Sequence, residues 1–337
     1  MNTQNGAAHS SAQGLPWLVA DIGGTNARFG WVDERSPGTV QHVRKLPAAE
    51  HAGPEEAVRS YLNGLAHELG GGYRPPRMAA FAVATPIEGD LIDLTNSDWR
   101  FSRAALQSAL GLQTLLMLND FEALALSLPR LGAGQLRPHG PLPQPRGALA
   151  VIGPGTGLGV GGVVQTRHGW VAVSGEGGHA TLAPADDFES DLLRQVRGEF
   201  PHVSAERLLS GIGLPVLHKG VAAVLGQPVS PLSAEAIVER GLARADAVCD
   251  RTLDVFCALL GSFAGNVALT LGARGGVYIG GGIVPRFGDR FFQSQFRERF
   301  EAKGRFRGYL EPIPTAVITD TLAALSGAAQ ALAQHEG

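Results

Sequence analysis

At 337 residues the chain is long enough for two domains of roughly 100–200 residues each. Hydrophobic residues at 44% and charged residues at 18% supply sizeable cores and exclude a disordered chain, while the 46 glycines fall in clusters without a three-residue period, which excludes a collagen-like repeat. A net charge of −3 carries no general footprint for nucleic acid or an anionic membrane. No apolar run approaches the roughly 18–20 residues of a bilayer span. Met1–Gly14 is polar and lacks the layout of a secretion signal, so it reads as a loose tail. Cys249 and Cys257, within a helical pattern, read as reduced helix residues of a cytosolic protein.

In chain order, Trp17–Ala20 predicts a strand, Asp21–Asn26 a polar glycine turn and Phe29–Val32 a second strand, together a hairpin. Val58, Leu62, Leu65 and Leu69 give Glu55–Leu69 helical spacing. Met78–Ala84 is a strand of buried type, and Ser102 caps a helix running to Leu110. Leu115–Leu118 is a strand that stops at Asn119-Asp120, and Phe121–Leu128 reads as a helix. Arg137–Gly147, with four prolines, reads as a surface loop. Ala148–Ile152 and Val160–Val164 are strands flanking Gly153–Gly159, which repeats the scheme at residue 17 and suggests a duplicated α/β architecture. Helices follow over Asp186–Phe200, Ala205–Leu209, Leu214–Leu225 and Ala234–Leu271, the last too long for one ordinary helix and expected to break near Cys249 or Gly261. Val277–Ile279 is a strand, Phe287–Phe300 helical, Ile313–Ile318 a strand and Leu322–Gln334 a closing helix.

Phosphate groups need several convergent N–H donors with no Cβ in the way. Gly23-Gly24-Thr25, Gly155-Thr156-Gly157 and Gly280-Gly281-Gly282 each follow an apolar strand, and two of them carry a threonine hydroxyl. One such turn is usually only a tight turn; three point to a nucleotide. None ends in the Gly-Lys-Ser/Thr of a P-loop. Gly153–Gly159 leads into a strand, whereas a dinucleotide fingerprint opens a helix. Asp21, at the end of the first strand, is either a carboxylate for Mg²⁺, acting through water, or a turn residue bonded to its own backbone.

Leu18–Arg28 (LVADIGGTNAR) resembles the opening of the bacterial glucokinase family, part of the sugar kinase/heat-shock ATPase/actin superfamily. The likeness continues through Thr95-Asn96, Asn119-Asp120-Phe121, Gly155–Gly159, Gly175–His179, Ser204–Arg207, Gly280–Arg286 and Lys303–Phe306, in order along the chain. It implies a duplicated ribonuclease-H-like (actin-like ATPase) α/β fold with two domains around a central cleft. Behind a tail over 1–14, the small domain is expected over 15–121 plus 315–337 and the large one over 122–314. It implies ATP and Mg²⁺ as cofactors, D-glucose as substrate and a cytoplasmic homodimer that engages neither nucleic acid nor membrane. Gly23, Gly24, Thr25, Asn26, Gly155, Thr156 and Gly157 are then expected at the phosphates, with Gly280, Gly281 and Gly282 nearer the adenosine and ribose. Arg28 is a further candidate for neutralising phosphate charge.

Phosphoryl transfer to an alcohol needs alignment, charge neutralisation and an acceptor for the hydroxyl proton. Asp120 is the candidate base at the sugar 6-hydroxyl, with Asn119 as a neutral orienter; without the resemblance, Asp120 reads as a helix cap. The resemblance also implies that Asn96, Glu176, His179 and Glu206 bind the sugar, whereas His179 alone reads equally as a surface loop residue. A zinc reading of Glu176, His179 and Glu206 is set aside because no cysteine joins them. The related repressor/kinase family carries a cysteine-rich zinc motif and often a DNA-binding domain; this chain has no such motif, and only 16 residues precede Trp17. Alternatives are a kinase for another hexose, such as mannose or N-acetylglucosamine, a catalytically silent ATP-dependent sugar sensor, and an actin-like filament protein.

Overall fold

The computed structural model describes residues 14–94, 97–228 and 230–335. They divide into two compact units: residues up to 128 with 166–172 and those from 321 onward, and residues 129–165 with 173–320.

The first unit opens with β1 (Trp17–Ile22), β2 (Asn26–Val32), β3 (Gln41–Pro47), α1 (Pro54–Leu69) and β4 (Met78–Val83). A small hairpin, β5 (Leu91–Asp93) and β6 (Arg100–Ser102), leads to α2 (Arg103–Ala109), β7 (Thr114–Asn119) and α3 (Asp120–Ser127). Its sheet has the order β3-β2-β1-β4-β7. β1 and β2 pair antiparallel, as do β2 and β3, whereas β1, β4 and β7 run parallel. Alternation along β1 sends Leu18, Ala20 and Ile22 towards a core with Val58, Tyr61 and Leu65 of α1 and Leu106 of α2. Trp17 and Val19 face the other way, into a second core with Ala123 of α3 and Leu325, Ala328 and Leu332 of the closing helix (Ala323–His335). Both faces are covered, which explains why these strands read as unbroken apolar runs. Ser102 caps α2 as expected, its Oγ accepting from the Ala105 N–H at 3.0 Å.

The second unit begins with β8 (Leu136–His139), β9 (Ala148–Pro154), β10 (Leu158–Thr166) and β11 (Gly169–Gly175). There follow α4 (Asp187–Arg197), α5 (Leu214–Val224), α6 (Ala234–Leu242), α7 (Ala247–Leu271) and β12 (Gly276–Ile279). Four short helices, α8 (Val284–Phe287), α9 (Asp289–Gln293), α10 (Phe296–Glu301) and α11 (Arg307–Leu310), precede β13 (Thr315–Ile318). The sheet order is β11-β10-β9-β12-β13-β8. Its first five strands repeat the order of the other sheet, with β9 antiparallel to β10 and parallel to β12, as β1 is to β2 and β4. The duplicated α/β architecture suggested by two strand–turn–strand segments is therefore present.

Several sequence expectations are corrected. β13 pairs with β12 and β8 in the second sheet, so the chain leaves that unit at 320, not at 314, and residues 122–128 lie in the first unit. The stretch expected as a proline-rich loop starts as β8, because Leu136–His139 finds an antiparallel partner in β13. Ala205–Leu209 forms turns, not a helix. The expected break near Cys249 is present, over Ala243–Asp246, where Arg244 takes a left-handed backbone and Asp246 caps α7 through the Val248 and Cys249 N–H groups, each at 2.9 Å. Gly261 is no break: it lets α10 approach, and a Cβ there would lie 2.2 Å from the Phe296 carbonyl oxygen. Phe287–Phe300 is interrupted at Gly288 and Ser294. The expectation that no segment reaches spanning length also fails: α7 is long and apolar enough, yet it is buried as the central helix of this unit.

Arg290 of α9 fastens the α6–α7 corner. Its guanidinium donates to the Gly241 carbonyl at 2.7 Å, to Asp250 Oδ1 at 2.6 Å, to the Asp250 carbonyl at 2.7 Å and to Asp254 Oδ1 at 2.8 Å. Arg290→Ala leaves those acceptors without their donor and is expected to lower stability by ~1–3 kcal/mol. Urea unfolding measures this, and an unchanged midpoint contradicts it.

Candidate active site

In the first unit the candidate residues gather at the carboxyl ends of the parallel strands, where open α/β sheets bind ligands. Asp21 lies opposite Ala82 of β4, which in turn lies opposite Leu118, so Asp21 and Asn119 sit at the same edge. The Gly23–Thr25 turn is closed by the Gly23 N–H donating to the Asn26 carbonyl at 3.0 Å, and the Thr25 carbonyl accepts from the Ala48 N–H at 2.9 Å. Asp21 faces Arg28 across the hairpin, with Nη1 donating to Oδ2 at 3.1 Å. Burial raises the Asp21 carboxyl above its ordinary pKa, and the Arg28 charge and hydrogen bond oppose that rise.

Asn119 ends β7 and caps α3: its Oδ1 accepts from the Phe121 N–H at 2.9 Å and its Nδ2 donates to the Thr85 carbonyl at 3.4 Å. The side chain is thereby fixed at both ends. Asp120, half-buried in the first turn of α3, accepts from the same N–H through Oδ1 at 2.9 Å. The cap position of α3 is thus held by Asn119, with Asp120 the first residue inside the helix. Asn96 lies outside the described residues.

In the second unit the sequence-distant candidates form one continuous strip. Glu206 Oε2 accepts from the Leu158 N–H at 2.9 Å, and a Cβ on Gly157 would lie 2.5 Å from that oxygen. The Glu206 N–H donates to the Gly178 carbonyl at 2.9 Å, and His179 Nε2 stands 3.9 Å from Glu206 Oε1. Glu176 accepts from the His179 N–H through its carbonyl at 3.0 Å, leaving both side chains exposed. On its other side the glycine turn is held by the Gly211 N–H donating to the Gly155 carbonyl at 2.8 Å and the Ile212 N–H donating to the Thr156 carbonyl at 3.3 Å.

The third turn packs directly on the second. Ile283 N–H donates to the Pro154 carbonyl at 3.2 Å, and Gly281, at φ +75°, would place a Cβ 2.2 Å from that same oxygen. Only glycine fits there. A pocket of about 570 Å³ opens between the two turns and α6, lined among others by Thr156, Ile212, Glu235, Gly282, Ile283 and Arg286. Sequence reasoning missed Ile212 and Glu235, which sit in segments without motif character. It quoted Arg286 in a glycine motif without giving it a role.

The glucokinase family model matches residues 18–335. The chain is 50% identical over 321 residues to a glucokinase of Chromobacterium violaceum, covering 95% of this chain and 90% of that one. It is 51% identical over 319 residues to a glucokinase of Aromatoleum aromaticum, covering 94% of each. Among solved structures, a glucokinase from an Antarctic psychrotroph superposes with a TM-score of 0.86 at 38% identity, covering 94% of this chain and 98% of that one.

The chain belongs to the glucokinase family.

Within this glucokinase-family chain, the resemblance read from scattered motifs corresponds to two clusters: Asp21, Asn119 and Asp120 at one strand edge, and Gly155–Gly157, Glu206, His179 and Gly280–Gly282 in one strip. The Asp21–Arg28 pair yields a direct test. Because Arg28 opposes the rise caused by burial, Arg28→Gln is expected to move the Asp21 titration to still higher pH. Carboxyl-carbon NMR follows that group, and an unmoved midpoint contradicts the assignment.

Proposed function

We propose that this chain is a glucokinase that transfers the γ-phosphoryl group of ATP to the 6-hydroxyl of D-glucose. The observation that carries the reading is the Glu206 contact: a sugar-type carboxylate hydrogen-bonds into the backbone of a phosphate-type turn, so one unit holds both recognition chemistries side by side. The second unit supplies Glu176, His179 and Glu206 for ring hydroxyls, each of which needs its own partner if epimers are to be distinguished. Its glycine turns supply N–H groups, and Thr156 a hydroxyl, for the phosphates. The pocket beside Gly282, Ile283 and Arg286 takes the adenosine.

The first unit supplies the base. Asn119, fixed at both ends, orients the sugar, as does Asn96 in this reading; Asp120 accepts the 6-hydroxyl proton as the oxygen attacks the γ-phosphorus. The bond from that phosphorus to the bridging oxygen breaks, giving glucose 6-phosphate and ADP with the proton on Asp120. Gly23, Gly24, Thr25 and Asn26 face the phosphates. A single carboxylate already engaged by Arg28 suits an ion that keeps several waters, so Asp21 fits Mg²⁺ through its hydration shell. Mg²⁺, when bound, supplies neutralising charge to the β- and γ-phosphates. The reading extends to a cytoplasmic homodimer acting on small molecules alone.

The test is ATP-dependent phosphorylation of glucose, mannose, fructose, galactose and N-acetylglucosamine, with sugar phosphate detected directly. Glucose 6-phosphate is expected as the dominant product; preference for another hexose moves the substrate, and no turnover with any sugar overturns the enzyme reading. Asp120→Asn keeps an acceptor for the Phe121 N–H but not the base. It is expected to lower kcat by about 10²–10⁴-fold while glucose binding persists. Retained turnover in that variant removes Asp120 from the role.

A further inference from the structure

Away from the phosphate turns, three donor side chains of different type meet under α6. His218 of α5 is buried, Cys249 in the first turn of α7 is fully buried, and half-buried Asp246 caps that helix. Their ligand atoms all lie within 4.8 Å of one another, and Cys249 Sγ stands 3.5 Å from His218 Nε2. A tetrahedral zinc with its usual bonds to sulfur and nitrogen sets those two atoms about 3.5 Å apart. Asp246 is preorganised, since Oδ1 accepts the Val248 and Cys249 N–H groups and so orients the carboxylate.

We infer that His218, Asp246 and Cys249 form a structural site for one zinc-class divalent cation, with water in the fourth position. The donor set excludes Mg²⁺, which takes oxygen ligands, and suits a borderline-soft ion. Without the metal, burial pushes the Cys249 thiol up to about 11 and holds His218 below its ordinary pKa, so the pair rests neutral and hydrogen-bonded. On binding, Zn²⁺ replaces the thiol proton, which passes to solvent, and thiolate plus carboxylate balance its charge. Arg240 lowers the pKa of both His218 and Cys249, towards the deprotonated forms that ligate a metal. The ion fastens α5 to the α6–α7 corner, and both α5 and α6 line the pocket beside Thr156. This site is independent of the phosphoryl-transfer reading.

The test uses the full chain stripped of metal, titrated with Zn²⁺ against a chromophoric chelator and checked by elemental analysis. One zinc per chain and a raised Tm are expected. Co²⁺ is expected to give a thiolate-to-metal charge-transfer band that Cys249→Ser abolishes. Asp246→Asn keeps the helix cap, removes the charge and is expected to weaken zinc binding about tenfold or more. Less than stoichiometric binding, or binding that Cys249→Ser and Asp246→Asn leave unchanged, overturns the site.

Discussion

The turn at the end of β9 is held from three sides, and the organisation of the second unit depends on that grip. The Gly211 and Ile212 amides take the Gly155 and Thr156 carbonyls, Gly281 lies against Pro154, and the Glu206 carboxylate takes the Leu158 N–H. The hydrogen bonds pair the Gly155 and Thr156 carbonyls and the Leu158 N–H, and the Gly281 approach leaves room for the Ile283 N–H to pair the Pro154 carbonyl. The result is a turn whose remaining N–H groups are held in place by the fold, which is the electrostatic preorganisation that the proposed phosphate contact requires. Glycine at 157 and 281 follows from the same grip, since a side chain at either position would occupy the space of a bonded oxygen.

The duplicated sheet explains how one architecture gives two kinds of site. β1 and β9 are equivalent strands, each followed by a glycine turn and an antiparallel partner. In the first unit the turn is flanked by the Asp21–Arg28 ion pair, which the proposed function sets beside a hydrated cation. In the second it is flanked by Glu206 and the Gly281 approach, which tie it to sugar-type and pocket-lining residues. The carboxylate proposed as base, Asp120, comes from neither hairpin but from the β7–α3 junction, where Asn119 takes over the capping duty.

Much of this is legible in the residues, because strand–glycine-turn–strand segments are local and the buried strands are unbroken apolar runs. What escaped has physical causes. β3 carries His42, Arg44 and Lys45 on a half-buried strand, so it lacks apolar periodicity. β8 is named by its pairing with β13, which no local signal announces. The break at 243–246 is set by the Asp246 cap, whereas Gly261, which resembles a break in sequence, serves a close helix approach. The pocket residues Ile212 and Glu235 come together only through tertiary packing. The motif residues were identifiable one by one; that Glu206 reaches the Leu158 amide was not.

The central claim is that Glu206, held over Gly157, joins sugar recognition to the phosphate turn. Gly157→Ala tests it most directly, because the added Cβ displaces the flexible end of Glu206 while the turn backbone remains allowed to alanine. Calorimetric titration with glucose, beside a Tm measurement, reads the effect. The account predicts glucose affinity reduced about tenfold or more with the fold intact, in line with the cost of losing a charged hydrogen bond. Wild-type glucose affinity in that variant would contradict it.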